Sequence, residues 1–283
     1  MTITEAIRFY EQQLSTVTDH AEAGAMTTLL LEHVLKIDRT LFHKLQHTKV
    51  TVEQQQLLSQ LAEQVMVGRP LQYVLGEAWF CGLKLEVNPH VLIPRPETEE
   101  LVEWIISNCR FPVSKLRILD MGTGSGCIAL ALKRRIRKAE VTAVDIDAEA
   151  LAVARRNAQL LGIDIQFVQA DLSAIDTWEQ IPDMDIIVSN PPYISAEEKN
   201  DISANVLDHE PHLALFAPDN DPLFFYRKLV VLAERKLTHE GQLFAELNAT
   251  YASEIATLFQ KAKFEVALKK DMQGKDRMLR AWR

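Results

Sequence analysis

Over the first 75 residues the apolar positions recur every three or four residues, the period of one face of an α-helix. Ile7 and Leu14 carry it first, then Leu29, Leu30 and Val34, then Leu57, Leu58, Leu61 and Val65. Thr51, with Glu53 and Gln54 behind it, opens a helix that runs to Val67, where Gly68 and Pro70 stop it. Residues 1–75 therefore predict a small bundle of four or five helices.

The period then drops to two. Phe80, Leu83, Leu85 and Val87, followed by Val91 and Ile93, alternate across Asn88-Pro89 and predict a β-hairpin linker over 76–95. Pro94 and Pro96 end it, and Glu97, Glu99 and Glu100 form the acidic first turn of a helix reaching Ile106. Beyond it, apolar strands are expected near 117–121, 140–145, 165–168, 185–189, 242–247, 264–269 and 277–282. Helices are expected near 126–137, 148–161, 222–237 and 250–262. Such alternation implies an α/β domain over 96–283, its sheet mostly parallel and covered on both faces. The last two strands leave no room for a crossover helix and should run antiparallel.

Composition narrows the partners. The chain has 283 residues, 47% of them hydrophobic and 25% charged, enough for two domains with real cores. Its net charge is −8, and the densest cationic cluster, Lys133, Arg134, Arg135, Arg137 and Lys138, reads as the solvated end of a helix. A protein that grips a phosphate backbone needs the opposite balance, so no direct nucleic-acid partner is expected. Cys81, Cys109 and Cys127 are far apart and the eight histidines lack ligand spacing, so neither a disulfide framework nor a metal is expected. With no basic-then-apolar leader and no long apolar run, the expected setting is the cytoplasm, away from membranes.

Two segments carry chemistry. In Arg117-Ile-Leu-Asp-Met-Gly122-Thr123-Gly124-Ser125-Gly126-Cys127 an apolar strand enters a glycine-rich turn and then a helix. Glycines allow backbone conformations and close approaches that a Cβ forbids, and the helix start offers unpaired amides. A purely structural tight turn is the competing reading. The dinucleotide fingerprint G-x-G-x-x-G fails at Cys127. Asp145 ends the next strand, where a carboxylate can accept both hydroxyls of a ribose, so the turn suits S-adenosyl-L-methionine better than a dinucleotide. Asp171, followed by Leu172, falls at the end of the third strand, near an adenine or as a simple surface-turn acid.

The second segment is Asp185-Ile-Ile-Val-Ser-Asn190-Pro191-Pro192-Tyr193, a buried strand that stops in a stiff polar turn. Prolines have no N–H, so the carbonyls around them stay free and fixed in direction. The Asn190 side-chain oxygen and the Pro191 carbonyl can together hold the two hydrogens of a planar NH₂, with Tyr193 offering a flat face beside them.

The two segments together resemble the methyltransferases that act on planar amide or exocyclic amine nitrogens. Gly68-Arg-Pro-Leu-Gln-Tyr73, Gly76, Phe80, Gly82-Leu83 and Leu92-Ile-Pro-Arg95-Pro96-Glu97-Thr98-Glu99-Glu100 make the chain similar to one branch, the HemK/PrmC family of peptide-chain-release-factor glutamine methyltransferases. His209-Glu210-Pro211 and Tyr226-Arg227 extend the likeness, whereas a sister enzyme for a ribosomal protein tends to carry Pro-Arg-Ser-Pro near Arg95. Local departures are Asn248 and Pro222, where relatives often have glycine, and Leu172, where some have an aromatic.

The resemblance implies a Rossmann-like domain of seven strands behind a helical substrate-recognition domain. It also implies methyl transfer from S-adenosyl-L-methionine to the glutamine side-chain amide in the Gly-Gly-Gln loop of class I release factors, by a monomer. Gly122 to Gly126, Asp145, Asp171, Leu172 and Asn190 would hold the cofactor. Asn190, Pro191, Pro192 and Tyr193 would hold the reacting amide, with Arg95 and Pro96 walling its tunnel. The rivals are methylation of a ribosomal protein, methylation of adenine in a nucleic acid, and a binding module without catalysis.

Overall fold

The computed structural model describes residues 1–109, 116–195 and 197–283. They divide into one unit of Met1–Gly76 with Ala204–His209 and a second of Glu77–Ser203 with Glu210–Arg283. In chain order the first elements are α1 (Ile3–Leu14), α2 (His20–Leu35), α3 (Val52–Met66), α4 (Leu71–Leu75), β1 (Glu77–Phe80), β2 (Leu83–Glu86) and α5 (Pro96–Asn108). Next come β3 (Arg117–Met121), α6 (Cys127–Arg135), β4 (Glu140–Asp145), α7 (Ala148–Leu161), β5 (Gln166–Gln169) and β6 (Met184–Ser189). The rest are α8 (Ala204–His209), α9 (His212–Leu215), α10 (Phe224–Lys236), β7 (Leu237–Glu246), α11 (Ala252–Lys261), β8 (Glu265–Lys270) and β9 (Asp276–Trp282).

Local chemistry sets the helix ends of the first unit. Thr2 with Glu5, and Thr51 with Gln54, form reciprocal capping boxes that satisfy amides left open at the starts of α1 and α3. Gly68 takes φ +91°, a left-handed value, two residues after α3 ends. The stop falls at the expected place. Tyr10, Leu14, Leu30, Leu31, Leu58 and Leu61 interlock as the core, while Leu57, on the rim of the predicted stripe, stays exposed.

In the second unit β3 to β9 form a seven-stranded sheet in the order β5-β4-β3-β6-β7-β9-β8. Strands β5, β4, β3, β6 and β7 run parallel, and β9 is antiparallel to both β7 and β8. Sequence order reverses between β3 and β6, because β4 and β5 lie on one side and β7 on the other. Ligands of open α/β sheets bind beyond the carboxyl ends of strands at such a switch point, and both chemical segments begin there.

The hairpin differs from its expectation. β1 and β2 pair antiparallel with the turn at Cys81-Gly82, both at positive φ, and not at Asn88-Pro89. Val87, Val91 and Ile93 are buried, so the alternation continues, but this stretch is not a strand. Pro89 and Pro94 remove two ladder donors. The hairpin packs on α7 within the second unit, held by Asn157, whose side chain accepts from the Glu86 amide at 2.6 Å and donates to the Glu86 carbonyl at 2.9 Å.

Candidate active site

The turn after β3 is built from backbone. Gly122, Gly124 and Gly126 all have positive φ, at +78°, +54° and +82°. The Gly122 and Thr123 amides both donate to the Val144 carbonyl at 2.8 Å, which pins the turn to β4. A Cβ on Gly126 would sit 3.2 Å from the Ala154 Cβ and from Leu130 Cδ1, so this glycine serves close helix packing. A Cβ on Gly122 or Gly124 would meet nothing within 4 Å, so there the turn is open to a cavity. Asp120 lies beneath it, fully buried, accepting from the Thr123 hydroxyl at 2.6 Å and the Ala129 amide at 3.1 Å. Burial pushes its carboxyl up to about 7, against those two hydrogen bonds.

Asp145 closes β4 and lines the same cavity. One carboxylate oxygen accepts from the Gly124 amide at 2.8 Å and the other from the Asp147 amide at 3.0 Å. Burial raises its pKa above the ordinary carboxylate value, and those amides oppose the shift. Each oxygen retains a further lone pair for a ligand hydroxyl. Asp171 and Leu172 also line the cavity. The Asp171 carboxylate closes its own turn, accepting from the Ser173 amide at 2.7 Å and hydroxyl at 2.6 Å. It closes the turn and lines the cavity at once.

The turn after β6 is built from side chains. Ser189 ties β6 to β3 by donating to the Met121 carbonyl at 2.7 Å. Asn190 follows, and its Nδ2 donates to Thr98 Oγ1 at 3.2 Å. The Thr98 hydroxyl donates to Glu246 Oε2 at 2.6 Å, and the Tyr193 hydroxyl donates to Glu246 Oε1 at 3.2 Å. Tyr226, fully buried, donates to the Glu246 carbonyl at 3.0 Å. Burial raises the Glu246 pKa, against hydrogen bonds from Thr98 and Tyr193 and the Arg277 charge, and burial also raises the pKa of Tyr193. Among the described residues neither Asn190 Oδ1 nor the Pro191 carbonyl accepts a hydrogen bond.

One cavity thus brings together Gly122, Thr123, Gly124, Ser125, Asp145, Asp171, Leu172, Asn190, Pro191, Pro192 and Arg95. Gly126, Pro96 and Tyr193 stand outside its wall. Gly126 packs on α7, Pro96 is the first residue of α5, and the Tyr193 ring packs into the core beneath the sheet. Arg95 is ion-paired to the buried Glu210, which also accepts from the Ile93 amide at 3.2 Å. Sequence reasoning missed Thr98, which lines the cavity, and Glu246 behind it as site residues. Thr98 stands among acidic residues in a segment quoted for the resemblance, and Glu246 stands in the apolar run expected as a strand over 242–247, so neither setting marks a site residue.

Two family models match the chain: the PrmC N-terminal domain over residues 5–76 and the methyltransferase small domain over residues 98–213. Fold and site define an S-adenosylmethionine-dependent methyltransferase of the Rossmann-like class. Two relatives named release factor glutamine methyltransferase are alike over nearly their whole lengths. That of Flavobacterium psychrophilum is 45% identical, covering 96% of this chain and 95% of its own, and that of Bacteroides thetaiotaomicron is 39% identical, covering 96% and 97%. The chain belongs to the release factor glutamine methyltransferase family. A methyltransferase from Pyrococcus furiosus shares the fold, with a TM-score of 0.54, 21% identity and coverage of 79% of this chain and 98% of that one.

Proposed function

We propose that this enzyme transfers a methyl group from S-adenosylmethionine to the side-chain amide nitrogen of the glutamine in the Gly-Gly-Gln loop of class I release factors. The observation that carries the reading is the pair of uncommitted acceptors, Asn190 Oδ1 and the Pro191 carbonyl, beside a glycine turn open to the same cavity. The cavity suits the donor: Gly122 and Gly124 leave room for a ligand against the backbone, and Asp145 has lone pairs for a ribose. When bound, S-adenosylmethionine supplies an activated methyl on a sulfonium.

An amide nitrogen is a poor nucleophile because its lone pair is delocalised into the carbonyl, so the protein's task is orientation. Asn190 and Pro191 hold the NH₂ by its two hydrogens. Positive charge grows on that nitrogen as the methyl arrives, and carbonyl dipoles attract it more strongly then than before. The proton left over passes to water. Tyr193 holds the turn by its hydroxyl, which donates to Glu246.

The helical unit of residues 1–75 selects the protein substrate. A glutamine in a loop presents too few atoms for recognition, and contacts elsewhere on a folded partner supply the remainder. Val67, 80% exposed at the end of α3, is an apolar residue the fold does not use. The net charge of −8 supports a protein partner over a nucleic acid, and the enzyme works as a monomer in the cytoplasm. Among the described residues no helix is long and apolar enough to cross a membrane.

Incubation with labelled S-adenosylmethionine and, separately, a class I release factor, ribosomal subunits and DNA tests the reading. Label in the release factor is expected. Label in a ribosomal protein or in DNA instead would overturn it.

A further inference from the structure

We infer that Thr98 and Glu246 are positioning residues that fix which way round the Asn190 amide stands, and so make the substrate pocket accept an NH₂ group. The inference rests on the proposed amide methylation and adds two residues to it. An asparagine side chain has two nearly isosteric ends, one acceptor and one donor. Only one orientation holds a substrate amide by its hydrogens. Nothing in Asn190 itself chooses between them.

The choice is made two bonds away. The Thr98 hydroxyl has a single hydrogen, and it is spent on Glu246 Oε2 at 2.6 Å. The other carboxylate oxygen accepts from Tyr193 at 3.2 Å, so both Glu246 oxygens are engaged as acceptors. Thr98 Oγ1 can then only accept, and it does so from Asn190 Nδ2 at 3.2 Å. The opposite rotamer would set Asn190 Oδ1 against the Thr98 lone pairs, with no hydrogen between them. Oδ1 is therefore left for the ligand. Thr98 is 2% exposed and Glu246 also 2%, so water cannot restore the choice.

The same polarity discriminates between glutamine and glutamate. An amide offers two hydrogens to Asn190 Oδ1 and the Pro191 carbonyl, whereas a carboxylate would bring lone pairs against lone pairs. The acid at 246, with no ligand to bind, thus sets the specificity of the site.

Thr98→Val removes the hydroxyl and keeps the shape, while Thr98→Ser keeps the hydroxyl. Displacing an acceptor costs less than deleting it, so Thr98→Val should lower kcat roughly tenfold or more, with S-adenosylmethionine affinity little changed and the melting temperature lowered because the buried Glu246 loses a donor. Thr98→Ser should recover most of the loss. In an Asn190→Ala background Thr98→Val should cost nothing further in single-turnover transfer, because the residue acts through Asn190. A wild-type kcat in Thr98→Val, an equal loss in Thr98→Ser, or a loss that multiplies in the Asn190→Ala background would each overturn the assignment.

Hydrogen exchange of the Asn190 side-chain amide, read by nitrogen NMR on the full chain without substrate, tests the orientation separately. Protection is expected in the wild type and Thr98→Ser, with release in Thr98→Val. Equal exchange in all three would refute the contact even if the release factor is methylated. Protection with no methylation of the release factor would sustain the contact and defeat the substrate reading.

Discussion

The turns after β3 and β6 leave neighbouring strands at the same edge of the sheet and face one cavity, yet they are made in opposite ways. The first is a backbone device: three glycines at positive φ, two amides on one carbonyl, and room where side chains would stand. The second is a side-chain device, in which Asn190 is held by a buried chain of hydroxyls ending on Glu246. A cofactor of constant shape can be met by a fixed backbone cradle. A substrate amide has to be told from its isostere, which needs donors and acceptors of defined polarity. On the proposed function, the first turn governs affinity for the donor, and the second governs the rate of transfer.

This division can be broken by substitution. The largest effect is expected from Asn190→Ala, which removes one of two preorganised acceptors and should slow single-turnover transfer about a hundredfold or more. Its affinity for S-adenosylmethionine should fall less than its transfer rate. A wild-type transfer rate would remove Asn190 from the chemistry. Asp145→Ala should weaken S-adenosylmethionine binding by about 1.5–3 kcal/mol, the worth of a hydrogen bond to a charged group. Titration calorimetry on the folded variant measures it, and unchanged affinity would place the ribose elsewhere.

The floor of the first turn supplies a pH test. Burial pushes the Asp120 carboxyl up to about 7, with the Asp145 charge adding in the same direction. A carboxyl that holds its proton more tightly in the folded chain stabilises the fold at pH below its unfolded value. That contribution is lost as pH rises through the folded value. Urea midpoints should therefore fall more steeply for the wild type than for Asp120→Asn between about pH 4 and pH 7. Parallel curves would show that Asp120 does not titrate there. The smallest effect is expected in the helical unit. Val67→Asp should raise KM for an intact release factor severalfold and leave donor affinity alone, and an unchanged KM would take α3 out of the recognition surface.

How far each turn could be read from the chain follows from the same contrast. A glycine cradle is a local need, so Gly122, Gly124, Gly126 and Asp145 carry it in adjacent strands at recognisable spacing. The seven strands were legible for a related reason, since each is a short apolar run bounded by turn residues. The Asn190 support was not legible, because Thr98 and Glu246 lie 148 residues apart and meet only when α5 packs against β7. No period or spacing encodes a hydrogen bond between distant elements. Nor does an aromatic after two prolines announce that its hydroxyl donates to Glu246 while its partly buried ring packs against the core. The hairpin turn falls at Cys81-Gly82 and not at Asn88-Pro89, because Val87, Val91 and Ile93 bury alternately without a partner strand.

The most direct test is single-turnover transfer to a release factor at saturating S-adenosylmethionine, for Asp145→Ala and Asn190→Ala side by side. If the first turn only holds the donor, excess donor restores Asp145→Ala to the wild-type rate while Asn190→Ala stays slow. Equal slowness in both variants at saturation would contradict the division of labour between the two turns.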